Sequence, residues 1–390
     1  MKLYVGVDTH KYTHTLCVIN ATNDILLTHT FNNSATDFAG VLNMLESLNA
    51  TLVFGLEDVN SFGKLLATFL SEKRYVVKHV YSTLANIVRV SQATYHKTDE
   101  YDAYCVAHIL KDMETKLPTA TFNIKIDNLA MLLNQRQLLN RNKAKMYLSL
   151  HNNLMYVYPR YNQFFSQLQT KSARFFFLTY PHPLTLKGVS AEILTAKVKE
   201  SAKNFTVKKA EKILTIVEED NITVEDTTNS FVLQQTIITI NTLEEQIKLF
   251  DDRIDELLND LPYHLTTIPG VNTITAAAII ANISDIQRFK NEKSLARFAG
   301  IAPVTISSSS TCKIESSRGG NRELRSTLYF LAVGMITYKG DTKRNKRFYD
   351  YYHKKISEGK TSTQALICIM RQLVRIIYSM MKYESEYEER

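Results

Sequence analysis

Apolar residues fall in short runs along the first third of the chain: Leu3–Val7, His14–Ile19 and Ile25–Phe31, with polar turns between them. Such runs predict three strands joined as consecutive hairpins. The pattern then changes. A helix over about 36–48, a strand over 52–57, a helix over 61–72, a strand over 75–80 and a helix over 82–92 alternate, as parallel βα units do. A helix is predicted over 127–156, whereas 160–185 is rich in Phe and Tyr, broken by Pro181 and Pro183, and carries no clear period. Between 231 and 258 a heptad emerges, with Leu233, Ile240, Ile247 and Ile254 at one position and Thr236, Leu243, Phe250 and Leu257 three residues later. That spacing predicts a long helix in a coiled coil, either within the chain or between subunits. Residues 262–380 read as wholly helical.

Three antiparallel strands followed by βα units is the strand order of the ribonuclease-H-like fold. In that order Asp8 and Glu57 close neighbouring strands, and ligands of α/β sheets gather at such carboxyl ends. Asp99 and Asp102 lie three apart at a helix start, on one helical face. Magnesium prefers oxygen ligands, and two ions held by carboxylates can clamp the attacking and leaving oxygens of a phosphoryl transfer. Each acid alone is an ordinary turn, surface or helix-start residue. All four, in this order, predict a metal-dependent phosphodiester chemistry.

Composition narrows the partner. The chain has 390 residues, more than one core usually serves, and divides as 1–125 (α/β), 126–260 (helical linker and coiled coil) and 261–385 (C-terminal domain). Net charge is +8 with an isoelectric point near 9.0. Twelve Lys or Arg against five Asp or Glu between 313 and 360 supply most of that excess, so polyanion binding is expected there. Cys17, Cys105, Cys312 and Cys368 form no CxxC pair, which argues against a zinc site or a disulfide framework. An acid at position 8 interrupts any signal peptide, and no apolar run approaches the ~20 residues of a membrane span, so a cytoplasmic protein with no membrane partner is expected.

Three further segments bear on nucleic acid. Helix 127–156 carries Arg136, Arg141, Lys143 and Lys145 without an acid after Asp127, which suits either a phosphate backbone or a solvated face. Ile268-Pro269-Gly270-Val271 before a small apolar helix resembles a helix-hairpin-helix turn, equally a plain interhelical turn. Ser307 to Ser310 lie on a predicted loop, and Arg318, Arg322 and Arg325 follow with the spacing of one helical face. A hydroxyl nucleophile acting on DNA needs such positive surroundings.

The motifs Gly6-Val7-Asp8-Thr9-His10-Lys11, Gly55-Leu56-Glu57 and Lys97-Thr98-Asp99-Glu100-Tyr101-Asp102-Ala103 run in order along the chain. Ile268-Pro269-Gly270-Val271, Phe298-Ala299-Gly300-Ile301-Ala302-Pro303, Arg318-Gly319-Gly320-Asn321-Arg322 and Tyr351 to Lys360 continue them. Together they resemble the transposases of the insertion-sequence 110 family, which also holds the Piv-type DNA invertases. The resemblance implies a RuvC-like N-terminal domain whose Asp-Glu-Asp-Asp set maps onto Asp8, Glu57, Asp99 and Asp102, binding Mg2+. It further implies a coiled-coil connector and a C-terminal helical transposase domain with a nucleophilic serine, mapped onto Ser308 with Ser307 second. Family members join DNA covalently through phosphoserine, and at least some are guided by a structured non-coding bridge RNA. They act as dimers or tetramers in which one subunit's acids meet another's serine.

The reading is a site-specific DNA recombinase of a mobile element, cytoplasmic and nucleoid-associated, working on donor and target DNA. Asp8, Glu57, Asp99 and Asp102 hold metal and Ser308 attacks. Lys11, Arg136, Arg141, Lys143, Arg318, Arg322 and Arg325 hold phosphates. The rivals are a RuvC-like nuclease using metal-activated water alone and a non-catalytic nucleic-acid scaffold.

Overall fold

The computed structural model describes residues 1–59, 61–91, 98–120, 123–222, 226–308, 311–316, 319–340 and 342–388. Two units divide the chain, Met1–Asn123 and Ile124–Arg390.

In the first unit, β1 (Lys2–Thr9), β2 (Thr13–Ile19) and β3 (Ile25–Asn32) form the antiparallel meander that the three apolar runs predict. Next come α1 (Ala35–Glu46), β4 (Thr51–Leu56), α2 (Lys64–Glu72), β5 (Val76–His79), α3 (Ser82–Ser91) and α4 (Asp99–Met113). The sheet order is β3-β2-β1-β4-β5, with β4 parallel to both β1 and β5. Successive side chains of a strand point to opposite faces. Leu3, Val5 and Val7 of β1 and Leu52, Phe54 and Leu56 of β4 share a core with Phe38, Leu42 and Leu45 of α1 and Leu66 and Leu70 of α2. Val53 of β4 lies in a separate cluster with Val106 and Leu110 of α4.

Gly6 sets how closely α4 approaches that second face. A Cβ there would stand 2.2 Å from the Ala107 amide nitrogen and 2.4 Å from the Ala103 carbonyl oxygen. Helix backbone lies directly on strand backbone, with small residues at the contact. Asp8, two residues beyond Gly6, therefore emerges on the side where α4 lies.

The second unit is organised around two long helices, α5 (Ile124–Val157) and α9 (Thr227–Asn259). They run antiparallel, as the crossings Lys125–Asp260, Lys143–Glu244 and Asn153–Thr236 show. Leu233, Ile240, Ile247 and Ile254 are buried as the heptad predicts; at the companion position Thr236 is buried and Leu243, Phe250 and Leu257 are half-buried. Around one end of the pair, α6 (Lys171–Thr179), α7 (Ala191–Lys199) and α8 (Val207–Asp220) close an aromatic core. Tyr158, Phe164, Phe165, Phe176 and Phe177 fill it, so the aromatic segment without clear periodicity is the filling of a small helical module.

The other end of the pair joins a core built from α10 (Thr273–Ile283), α11 (Glu292–Phe298) and α12 (Arg322–Met335), with α13 (Lys346–Ser357) and α14 (Ser362–Tyr383). This region is not wholly helical, contrary to the sequence reading. Between α11 and α12 it carries an antiparallel ribbon of β6 (Pro303–Ser308) and β7 (Thr311–Ser316), and between α12 and α13 a short one of β8 (Tyr338–Lys339) and β9 (Thr342–Lys343). Serine-rich strands of low hydrophobicity give no helical or alternating signal strong enough to be read. A second correction concerns α14, which is long and apolar enough by length and composition to span a bilayer. Its Ile369, Leu373, Val374, Ile377 and Met381 are buried in the core instead.

Candidate active site

Strand register brings the first two acids together. Val7 pairs with Leu56 across the parallel β1–β4 ladder, so Asp8 and Glu57 are the next residues on adjoining strands, and the Glu57 amide donates to the Val7 carbonyl at 3.4 Å. Helix α4 supplies the other two. Thr98 caps it, its hydroxyl accepting from the Tyr101 amide at 3.2 Å. Asp99, Glu100 and Asp102 occupy the first turn, where the helix dipole favours negative charge. Asp99 is 61% exposed, whereas Asp102 and Asp8 are buried, at 5% and 7%.

His10 joins them. Its Nε2 lies 3.1 Å from Asp8 Oδ2 and 3.4 Å from Asp99 Oδ1, and one ligand atom from each of the three residues falls within 4.8 Å of the others. Arg89 of α3 places its Nε 2.7 Å from Asp102 Oδ1. Neither His10 nor Arg89 figures among the site residues read from the sequence. His10 was legible as the residue two beyond Asp8; Arg89 had no signal, because its partner lies in another element.

Burial pushes the Asp8 carboxyl up to about 6; His10 pulls it down, and the charges of Asp102, Glu57 and Asp99 add to the rise. The other three acids thus act on this one carboxylate. Asp8 Oδ2 is a buried oxygen without a hydrogen-bond partner, since His10 stands within ion-pair reach but out of hydrogen-bond geometry. Buried, unsatisfied carboxylate oxygens next to further acids are what a divalent cation relieves. The donor set fits such an ion.

Of the other predicted site residues, Lys11 belongs to the first unit and the rest to the second. Lys11 is exposed beside the acids, its Nζ 4.9 Å from the Tyr12 ring centroid. On α5, Arg136 is ion-paired with Asp251 and Lys143 lies 3.9 Å from Glu244, so both charges are answered by α9, while Arg141 is exposed. Ser308 ends β6 and pairs with Thr311, and Ser307 pairs with Cys312. Arg318, Ser309 and Ser310 lie outside the described residues.

The ribbon's base is closed by glycines. A Cβ on Gly320 (φ 105°) would stand 2.6 Å from the Gly300 nitrogen, and one on Gly300 (φ 67°) 2.5 Å from the Gly319 carbonyl oxygen. Asn321, which donates its amide to the Phe298 carbonyl at 2.7 Å, caps α12. Helix α12 begins only at Arg322, so the single helical face expected for three arginines is reduced to Arg322 and Arg325. At the Pro269-Gly270 turn, Gly270 has φ 96° and α10 follows, but only a single 3-10 turn, Leu265–Thr267, precedes it, so the motif has one full helix rather than two.

A mixed sheet with acids at adjoining strand ends, faced by two more in the first turn of a packed helix, is consistent with a DEDD nuclease-like domain. Residues 5–159 match the DEDD transposases of IS110 type, and residues 263–353 match the "Transposase IS116/IS110/IS902 family". The chain belongs to this family of insertion-element transposases, enzymes that cleave and rejoin DNA. It is 23% identical to the insertion element IS110 43.6 kDa protein of Streptomyces coelicolor, over 100% of this chain and 96% of that protein. The IS116 44.8 kDa protein of Streptomyces clavuligerus is 23% identical over 98% and 95%. The pilin gene-inverting protein of Moraxella lacunata is 31% identical over 41% of this chain and 51% of its own length. The DEDD domain implies a divalent metal, and the Asp8–His10–Asp99 group is a carboxylate and histidine cluster suited to one.

Proposed function

We propose that this transposase is a site-specific recombinase that moves a mobile element through a covalent phosphoserine, with Asp8, Glu57, Asp99 and Asp102 holding Mg2+ and Ser308 as nucleophile. The observation that carries the metal half is the buried, unsatisfied Asp8 carboxylate, on which the charges of Glu57, Asp99 and Asp102 all act. When bound, the ion supplies charge to the scissile phosphate and to the oxygen that leaves. Ser308 Oγ forms the new bond to phosphorus as a bridging P–O bond to the sugar breaks; the serine proton passes to a base and the departing sugar oxygen takes one up. Bond energy is kept in the phosphoserine, so the reverse attack rejoins strands without another energy source.

Support for Ser308 is its motif position after Pro303, at the end of a ribbon rooted by a glycine contact. A bridge RNA, assembly as a dimer or tetramer, a division into 1–125, 126–260 and 261–385, and a cytoplasmic, nucleoid-associated location complete the reading.

A second reading has support of its own: the first unit alone carries a DEDD acid set, which is sufficient for metal-activated water with no serine step. Incubation with element-end DNA and Mg2+, followed by denaturing electrophoresis, separates the two. A protein–DNA adduct that Ser308→Ala loses and Ser307→Ala keeps supports the serine route. Cut ends without adduct, unchanged in Ser308→Ala, refute it, and loss of all products in Asp8→Asn is required by both.

A further inference from the structure

A cleft of about 500 Å³ lies in the second unit between α5, α10 and α12. Arg141 and Arg322, from helices far apart in sequence, both line it, and neither has an ion-pair or hydrogen-bond partner among the described residues. Arg136 lines it too, but its charge is answered by Asp251. Against these stands, among the described residues, a single lining acid, Glu323. Free guanidinium groups lining one cleft suit phosphate oxygens, which they grip in bidentate fashion.

The rest of the lining is not what a bare anion needs. Leu133, Ile274 and Ala278 contribute short apolar surface. Asn140 and Asn282 donate their amide hydrogens to the carbonyls of Arg136 and Ala278, at 3.0 and 2.8 Å, which leaves each Oδ1 as an acceptor. An apolar surface with amide acceptors suits the flat face and exocyclic amine of a nucleobase, and the volume is that of a small-ligand pocket. A duplex keeps its base faces stacked and offers only its backbone here, so it would leave this surface unfilled.

We propose that the cleft binds one unpaired nucleotide of a single strand, its phosphate held by Arg141 and Arg322 and its base laid on the Leu133–Ala278 surface. The inference rests on the nucleic-acid reading above and gives it a location independent of the metal centre. An unpaired nucleotide can come from RNA or from melted DNA, and the chemistry is shared.

The test uses the full chain without metal and two single-stranded 12-mers of one sequence, one RNA and one DNA, each with a central 2-aminopurine, alongside a duplex of the same sequence. Wild-type protein should change the 2-aminopurine emission on binding at least one strand. Arg141→Ala and Arg322→Ala should each weaken that binding about tenfold and reduce the slope of log K against log salt by about 0.7. Ala278→Phe, which fills the floor without altering charge, should weaken binding and abolish the emission change while leaving the salt slope intact. Preference for the RNA strand would identify a guide as the source, and preference for DNA a melted element end; either supports the site. Unchanged single-strand binding in both arginine variants, or loss confined to the duplex, overturns it. Either of those results, with metal-dependent cleavage still abolished by Asp8→Asn, would leave the recombinase reading standing.

Discussion

Replacing Asp8 with asparagine removes a charge that the metal-free fold holds at a penalty. Burial and the neighbouring acids raise this carboxyl from 3.8 to about 6. A shift of that size corresponds to on the order of 3 kcal/mol. Between about pH 4 and pH 6 the folded form keeps its proton while the unfolded chain has released it. Stability therefore falls as pH rises through that window, and the whole penalty stands above it. Asp8→Asn is close in shape and uncharged, so it should stabilise the metal-free first unit by roughly 1–3 kcal/mol near neutral pH and by little near pH 4. Hydrogen exchange of peptides from β1 and β4, corrected for intrinsic rates, reads this unit's local free energy. Added Mg2+ should then stabilise the wild type and not the variant, narrowing the gap as ligand binding to the native state requires. A variant no more protected than wild type near neutral pH, or a gap that does not widen with pH, would refute the account of Asp8 as a strained carboxylate awaiting a cation.

Two further substitutions probe how the acids are held. Gly6→Ala forces α4 away from β1 by more than 1 Å if ordinary contact is restored, so it should destabilise the first unit by about 1–3 kcal/mol and weaken the Mg2+ response by moving Asp99 and Asp102. Urea titration by circular dichroism with and without Mg2+ measures both effects, and an unchanged metal response would show that α4 is not seated on Gly6. Arg89→Ala leaves the buried Asp102 without its guanidinium, and because Arg89 is partly exposed the loss should be no more than about 3 kcal/mol. Mg2+ should recover part of that loss, and a wild-type midpoint without metal would count against the pairing.

Local pattern made the first unit readable. Its strands are short apolar runs bounded by polar turns, its acids sit at strand ends, and Thr98 announces α4, so the sheet and the approach of the four carboxylates follow from short-range features. Pairings across long sequence distances were not readable. Nothing near Arg136 discloses Asp251, which lies 115 residues away, and nothing near Asp102 discloses Arg89 in another helix. The β6–β7 ribbon escaped notice for a different reason. Its serines have low strand propensity, its apolar positions are few, and the contact that roots it is between glycine backbones rather than side chains.

The antiparallel pairing of α5 and α9 has a consequence for how this protein can be altered. The chain enters the aromatic module along α5 and leaves it along α9, so the module is an excursion from the end of a two-helix stalk. Its hydrophobic filling is self-contained, apart from the stalk residues Tyr147, Leu150, Leu154, Val157, Leu233, Ile237 and Ile240 that it covers. A stalk cut back past those positions and closed by a short helix–helix turn would keep the Ile126, Leu129, Ile254 and Leu258 packing that joins it to the C-terminal core. The module is thus a cassette, open to exchange or removal while the serine ribbon keeps its footing.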